Sequence, residues 1–230
     1  MYQHIKENLE RLKARITAAA GRAGRSLEEI TLVAVSKTHP YDTVRAAVEY
    51  GVTDIGESRV QEAAPKIESL GKIAKWHMVG HLQTNKAKKA VQLFDMIQSV
   101  DSLKLAEEIN RRAGQTGKRV ECLIEVNSSG EEAKSGVAVA DALELIEKVF
   151  RFESINLRGL MTIGPWTDNE QLIREAFRKT RELFADGTKV AGESFTILSM
   201  GMTDDFEIAI EEGSNMVRIG TAVFGPRKNG

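Results

Sequence analysis

The chain has 230 residues, of which 42% are hydrophobic and 28% charged, a composition typical of an ordinary globular protein with enough length for one large core. Its formal net charge of −1 argues against a general nucleic-acid binder, which needs a strong positive surplus. A lone cysteine, Cys122, excludes an internal disulfide framework and fits a reducing compartment, and no apolar run is long enough to span a bilayer. We therefore expect a cytoplasmic protein that binds neither nucleic acid nor a membrane.

The first predicted element is an N-terminal helix that lacks the apolar block of a secretion signal. Ile5, Leu9, Leu12 and Ile16 fall on one face of it, which we expect to pack on its own domain rather than on a membrane. Eight short runs rich in strand-forming residues follow, at residues 31–37, 53–58, 76–81, 95–100, 121–127, 157–163, 195–200 and 215–224. Helical patterns such as DSLKLAEEINRRAG lie between them.

The alternation of strands and helices predicts parallel strands joined by right-handed crossovers. Eight such units predict an α/β fold, a (β/α)8 TIM barrel with an extra N-terminal helix, in one domain that covers residues 1–230. An open, doubly wound sheet is the alternative, but the first strand is not followed by a glycine-rich dinucleotide fingerprint. In a barrel, the active site lies at the carboxyl ends of the strands.

Lys37 ends the first predicted strand, in the stretch TLVAVSKTHP. Because side chains alternate along a strand, Lys37 points into the barrel mouth if Val33 and Val35 point into the barrel. Desolvation or a neighbouring cation makes a lysine amine a nucleophile toward aldehydes. On this strand alone, a lysine that simply extends into solvent is the more common case.

The stretch LSMGMTDDFEIAI has the composition of an anion-binding turn. It leaves the seventh predicted strand through Gly201 and enters a helix, for which Asp204 and Glu207 form a predicted capping box. The Ser199 hydroxyl and the backbone around Met200 and Gly201 could bind an anion there.

The stretch MVRIGTAVFG places Arg218, Gly220 and Thr221 late in the eighth predicted strand. Glycine lets the backbone approach a ligand closely, and a threonine hydroxyl suits phosphate oxygens. Barrel enzymes often hold phosphate after strands seven and eight, and closure of the barrel brings strand eight beside Lys37. A lysine beside a phosphate clamp is the arrangement that pyridoxal 5′-phosphate requires. The alternative is an ordinary turn, a strand hydroxyl and a surface arginine.

Five stretches spread over nearly the whole chain match a known family: AVSKTHP, GESRVQEAAPKI, WHMVGHLQTNKAK, GLMTIG and LSMGMTDDFEIAIEEGSNMVRIGTAVFG. In these stretches the chain resembles the YggS/PROSC family of pyridoxal phosphate homeostasis proteins. The resemblance implies the barrel fold of the alanine racemase N-terminal domain, without that enzyme's second domain. It assigns Lys37 to the internal Schiff base and Arg218 to the pyridine nitrogen. It places the cofactor phosphate against residues after the last two strands, namely Ser199, Met200, Gly201, Gly220 and Thr221.

One stretch, IGESRVQE, departs from the family pattern. Ile55, Ser58 and Arg59 stand where the family has phenylalanine, asparagine and tyrosine. The family asparagine lies near the cofactor, so Ser58 replaces a cofactor contact. His81, at the end of the third predicted strand, is a further candidate contact.

The resemblance and Arg218 together predict a cofactor carrier with little or no catalysis on amino acids. An arginine donor favours an unprotonated pyridine nitrogen, which is a weaker electron sink. Racemisation also needs a base on each face of the substrate, and the domain that supplies the second base in alanine racemase has no counterpart after the eighth strand. We expect a monomeric protein of vitamin B6 homeostasis, whose candidate partners are pyridoxal 5′-phosphate and the apo-enzymes that depend on it.

Two alternatives remain open. The first is a racemase-like enzyme whose second base, from Tyr41 or His81, lies on a loop or a partner subunit. The second is a Schiff-base aldolase that acts on a sugar phosphate through the same lysine. His77 and His81 share a strand face, but without a cysteine or carboxylate clearly beside them we predict no metal site.

Overall fold

The computed structural model describes residues 2–131 and 133–226 of the chain. In these residues the strands are β1 Thr31–Val35, β2 Asp54–Glu57, β3 Lys75–Met78, β4 Met96–Val100, β5 Val120–Asn127, β6 Val137–Ala138, β7 Ile155–Thr162, β8 Ile197–Ser199 and β9 Met216–Ile219. The helices are α1 Gln3–Arg22, α2 Tyr41–Glu49, α3 Val60–Leu70, α4 Ala87–Leu93, α5 Leu103–Gly114, α6 Val139–Phe150, α7 Glu170–Ala191, α8 Phe206–Glu211 and α9 Thr221–Phe224.

The sheet closes on itself as an eight-stranded parallel barrel. The strand order is β4-β3-β2-β1-β9-β8-β7-β5-β6, and an additional pairing of β4 with β5 completes the circle. The two-residue β6 pairs only with β5 and stands outside that circle. The predicted (β/α)8 barrel with an extra N-terminal helix is therefore confirmed, and the open-sheet alternative is wrong.

The last predicted strand is too long. It ends at Ile219, and the chain turns at Gly220 into the short helix α9. Thr221 therefore begins a helix. The sequence pattern had predicted that it belongs to a strand, and that prediction is wrong. The apolar residues that suggested a longer strand, Val223 and Phe224, are buried from the helix instead. A short apolar run has the same composition in a buried strand and in a buried helix, so periodicity could not distinguish the two.

The predicted capping box at α8 is also wrong. Asp205, not Asp204, precedes the helix, and its carboxylate accepts a hydrogen bond from the Met202 amide at 2.6 Å. Glu207 instead forms an ion pair with Arg15 of α1 at 2.9 Å. The Glu207 side chain, which the local pattern assigned to the cap, therefore pairs with a residue far away in the sequence.

The N-terminal helix uses its apolar face inside the molecule, as predicted. Ile5, Leu12 and Ile16 are buried, and α1 packs mainly against α8 and α9. A second ion pair joins Arg22 to Glu211 at 2.6 Å. Within the described residues, no helix combines the length and apolar character that crossing a membrane requires.

Candidate cofactor site

Lys37 lies in a tight turn at the carboxyl end of β1. The barrel interior contains a cluster formed by Val33, Val35, Val79 and Met216. β1 ends at Val35, so the strand predicted over residues 31–37 is two residues too long and Lys37 lies in the turn that follows it. The His39 amide donates to the Ser36 carbonyl at 3.0 Å and closes the turn around Lys37. That Lys37 faces the mouth stays a prediction.

The turn contains a strained residue and touches the end of the chain. Thr38 has a φ of 68°, in the left-handed region that a β-branched residue rarely adopts. The ring of His39 packs on Phe224 of α9, with 5.0 Å between the ring centroids. The Lys37 turn is therefore held against the segment that follows β9.

A buried ion pair supports the same turn from the outside of the barrel. Lys66 of α3 donates to the Ser36 carbonyl at 2.7 Å and to the Glu57 carboxylate at 2.6 Å. The Ser36 hydroxyl donates to the same carboxylate oxygen at 2.6 Å. Glu57, which ends β2, therefore lies between the sheet and α3 and does not face the mouth.

Arg218 of β9 is buried inside the barrel, with 4% of its surface exposed. Its Nη1 donates to the Ser199 hydroxyl at 2.6 Å and its Nη2 donates to the Thr162 carbonyl at 2.7 Å. Burial lowers the pKa of Arg218 to about 10, although the charges of Asp205 and Glu125 act in the opposite direction. Arg218 therefore stays protonated at neutral pH and can only donate hydrogen bonds.

Two carboxyl groups complete the charge distribution around Arg218. Burial and the charge of Asp101 raise the pKa of Glu125 to about 7, against the opposing effect of Arg218. Burial also raises the pKa of Asp205, although the Met202 amide and Arg218 lower it. One Glu125 oxygen is buried without a hydrogen-bond partner among the described residues. The interior thus combines an arginine that stays charged at neutral pH with two carboxyl groups whose pKa values are raised.

Two of the predicted phosphate ligands are already engaged within the protein. The Ser199 hydroxyl is fully buried, accepts from Arg218 and donates to Gln98 at 2.8 Å. The Met200 amide lies 3.1 Å from the Met216 carbonyl and 3.2 Å from the Ser214 hydroxyl, and donates to both. Both residues therefore contribute to the shape of the turn after β8.

The remaining predicted phosphate ligands are Gly201, Gly220 and Thr221. The two glycines lie where another backbone segment comes close. Gly201 has a φ of 93°, and a Cβ there would lie 2.7 Å from the Phe206 Cα, so only glycine fits the turn onto α8. A Cβ at Gly220 would lie 3.2 Å from the Val35 carbonyl oxygen. The pairing of Ala34 with Ile219 brings Gly220 to the end of β1, which Lys37 follows by two residues, and the exposed Thr221 comes next in the chain.

Ser58 and His81 lie together on the rim of the barrel. Both line a groove of about 590 Å³ that follows the ends of β2 and β3. The His81 side chain is 55% exposed and its Nδ1 lies 3.1 Å from the Asp101 carboxylate. Tyr41, the other candidate base, begins α2 and is 47% exposed.

His77 and His81 lie in different environments and do not share a site. His77 is buried between Asp54 and Gln98, whereas His81 lies on the rim. Among residues 2–131 and 133–226, no group of three histidine, cysteine or acidic side chains could hold a metal ion.

The sequence interpretation missed Glu125, Gln98 and Asp205 as parts of the polar interior. A signal for the first two was present, since an acidic or amide side chain inside an otherwise apolar strand needs a buried partner. Asp205 gave no such signal, because the same residue type is common in exposed turns.

The comparisons with known proteins agree with this geometry. Residues 3–228 match the family described as "Alanine racemase, N-terminal domain". The chain is 42% identical over 223 residues to the pyridoxal phosphate homeostasis protein of Aquifex aeolicus. The matched region covers 96% of this chain and 98% of the relative. It is 40% identical over 228 residues to that of Escherichia coli K12, with 97% of each chain covered.

A solved structure is similar to this chain over nearly its whole length. PipY of Synechococcus elongatus PCC7942, solved with PLP bound, is 33% identical to this chain, with a TM-score of 0.83 over 96% of this chain and 100% of PipY. Matches of this identity and coverage extend from α1 to the segment after β9. The chain therefore belongs to the alanine racemase N-terminal domain family and, within it, to the pyridoxal phosphate homeostasis proteins.

Proposed function

We propose that the chain binds pyridoxal 5′-phosphate at the barrel mouth and serves vitamin B6 homeostasis as a carrier of that cofactor, with the whole chain acting as one domain. The observation that carries the proposal is the pairing of β1 with β9, which brings Val35, two residues before Lys37, close to Gly220. Support comes from relatives about 40% identical that are named pyridoxal phosphate homeostasis proteins, and from PipY, solved with PLP bound.

The residues at the mouth fit the cofactor by the chemistry of their donors. Pyridoxal phosphate supplies an aldehyde that reacts with a primary amine and a pyridine ring that withdraws electrons. Lys37 is the amine we assign to the aldehyde, and Arg218 is the buried donor we assign to the pyridine nitrogen. The glycine turns at Gly201 and Gly220, with Thr221, form the cradle we assign to the phosphate.

Ser199 and Met200 have a supporting part in the proposal. Because their hydroxyl and amide are engaged within the protein, they shape the turn that carries Gly201 and hold Arg218. Ser58 and His81, on the rim groove, are contacts for the outer edge of the ligand in this proposal.

A carrier role agrees with the chemistry of Arg218 better than racemisation does. An arginine that remains protonated leaves the pyridine nitrogen without a proton, so the ring withdraws electrons weakly. The two candidate bases for the opposite face, Tyr41 and His81, are both on the exposed rim. We propose a monomer in the cytoplasm that passes its cofactor to apo-enzymes.

The visible absorption spectrum of the purified protein tests the proposal. Wild-type protein mixed with pyridoxal phosphate should develop a yellow band that borohydride abolishes, and peptide mapping should then find the modified residue at Lys37. Lys37→Ala should lose the band, whereas Lys89→Ala, on the exposed face of α4, should keep it. A wild-type protein that stays colourless, or a label on another lysine, would reject the proposed site.

Incubation with L-alanine separates the carrier from the racemase-like alternative. A carrier should give no steady formation of D-alanine over many turnovers, because the proposal assigns no base to the opposite face of the substrate. Continuous turnover that depends on Tyr41 or His81 would favour the enzyme. Binding of pyridoxal phosphate through Lys37 would reject the sugar-phosphate aldolase.

A further inference from the structure

A chain of four buried hydrogen bonds crosses the barrel from Arg218 to Asp54. Arg218 Nη1 donates to the Ser199 hydroxyl at 2.6 Å, and Ser199 lies 2.8 Å from the Gln98 Oε1. Gln98 Nε2 lies 2.9 Å from the His77 Nδ1, and His77 Nε2 lies 2.9 Å from the Asp54 Oδ1. All five side chains are buried. We refer to Arg218, Ser199, Gln98, His77 and Asp54 as the relay.

The two ends of the relay and the orientation of the Gln98 amide fix the direction of every hydrogen bond in it. Arg218 has only N–H groups and can only donate. Asp54 is an acceptor, because hydrogen bonds from His77 and Thr53 hold its pKa below the ordinary value although burial acts to raise it. With the Gln98 amide oriented as in the structure, its Oε1 at Ser199 and its Nε2 at His77, each residue between the ends accepts on the side of Arg218 and donates on the side of Asp54.

This direction determines the chemical state of the middle residues. Ser199 accepts from Arg218 and donates to the Gln98 carbonyl oxygen, and the Gln98 amide nitrogen faces His77. His77 Nδ1 must then be an unprotonated acceptor, with the single ring proton on Nε2 and directed at Asp54. A second proton on the ring would break the contact with Gln98.

The relay joins strands that are not neighbours in the sheet. Gln98 of β4 meets Ser199 of β8 across the barrel interior, with β5 and β7 between them in the strand order. Asp54 and His77 line a cavity of about 330 Å³ at the amino ends of the strands, opposite the mouth. The position of Arg218 at the mouth is therefore connected to residues at the far end of the barrel.

We infer that Asp54, His77 and Gln98 are positioning residues that fix the guanidinium of Arg218 through Ser199 and so prepare it for the ring of the cofactor. The inference rests on the proposed function for its ligand, but the state of the relay belongs to the protein alone. It extends the cofactor site beyond the residues that could touch pyridoxal phosphate. The three positioning residues act only through their hydrogen bonds, because none of them is at the mouth.

The first test uses wild-type protein without cofactor. Nitrogen-15 NMR of the imidazole rings should show His77 with a protonated Nε2 and an unprotonated Nδ1 at neutral pH, assigned by the loss of its signals in His77→Gln. A proton on Nδ1 would contradict the direction of the relay and overturn the inference. This measurement needs no cofactor, so it is independent of whether the proposed function holds.

The second test measures how firmly Arg218 is held. Rotation of its guanidinium, followed by NMR of the Arg218 side chain, should be slow in the wild type and faster in Gln98→Leu. Ser99→Ala is the matched control, because Ser99 is the next residue of β4, is equally buried, and has a hydroxyl without a partner in the described part of the chain. Equal rotation in both variants would reject the positioning role. His77→Gln serves the same purpose if Gln98→Leu does not fold.

The third test connects the relay to the cofactor. Affinity for pyridoxal phosphate should fall about tenfold in Gln98→Leu and His77→Gln, the effect of misplacing one hydrogen bond to a charged group. The position of the visible band should also shift, whereas Ser99→Ala should match the wild type. Unchanged affinity and band position in the relay variants would overturn the inference. A wild type that does not bind the cofactor would reject the proposed function instead.

Discussion

Arg218 is the residue around which the polar interior of the barrel is arranged. It is the cation that Glu125 and Asp205 face, and it is bonded to Ser199 and to the Thr162 carbonyl. Removing one partner from such a buried set leaves other polar groups without hydrogen bonds. The position of each group therefore depends on all the others.

Replacement of Glu125 with glutamine should reduce the pH dependence of stability. The pKa of Glu125 is about 7 in the folded protein, above roughly 4.3 in an unfolded chain. The folded state therefore keeps a proton that the unfolded state releases, so this group lowers stability as pH rises from about 4 to about 7. The expected loss is roughly 3 kcal/mol for a buried group with this shift.

Urea unfolding at about pH 5 and about pH 8 measures this effect. The free energy of unfolding should fall more between the two values in the wild type than in Glu125→Gln. Glu193→Gln, at an exposed position, is the control and should behave like the wild type. If the wild type and Glu125→Gln respond equally, Glu125 does not have the raised pKa.

At the scale of elements, the turn after β1 depends on contacts from three other parts of the chain. Lys66 and Glu57 support Ser36 from α3 and β2, and Phe224 of α9 packs on His39. Alternation along the predicted strand is the basis for the prediction that Lys37 faces the mouth, but β1 ends at Val35 and the turn continues the chain. The supporting contacts could not be predicted, because they join residues that are far apart in the sequence.

Replacement of Lys66 with methionine should destabilise the fold and weaken cofactor binding together. The Lys66 and Glu57 side chains are 11% and 0% exposed, so loss of the lysine leaves a buried carboxylate without its partner. Such a loss costs about 3–5 kcal/mol. The turn that carries Lys37 would also lose one hydrogen bond to the Ser36 carbonyl.

Unfolding free energy and pyridoxal phosphate affinity should be measured on the same samples. Lys89→Met is the control, because Lys89 pairs with Glu68 on the surface, where an ion pair contributes at most about 1 kcal/mol. If both variants lose the same small amount of stability and keep full affinity, Lys66 does not support the turn.

At the scale of the whole molecule, closure of the sheet determines which residues meet. The pairing of β1 with β9 brings the end of β1, which Lys37 follows, close to Gly220, although they are far apart in the sequence. Closure also pairs each of the eight barrel strands on both sides, so in the described part of the chain only the two-residue β6 presents an edge through which sheets could associate.

We therefore predict that the chain is a monomer. Light scattering on a gel-filtration peak should give a mass near 25.4 kDa, and the mass should not change with protein concentration or with added pyridoxal phosphate. A mass near twice that value at low concentration would show that surfaces other than strand edges form an interface.

The sequence by itself determined the barrel and the N-terminal helix, because these follow from local periodicity and from the number of repeated units. It also determined the family, through motifs that extend over nearly the whole chain. Only the tertiary structure decided that Thr221 begins a helix, that Glu57 faces α3, and that the Ser199 hydroxyl binds Arg218 and Gln98. The physical reason is that buried polar groups must find partners wherever closure of the barrel places them, and a pattern of neighbouring residues does not contain those distances.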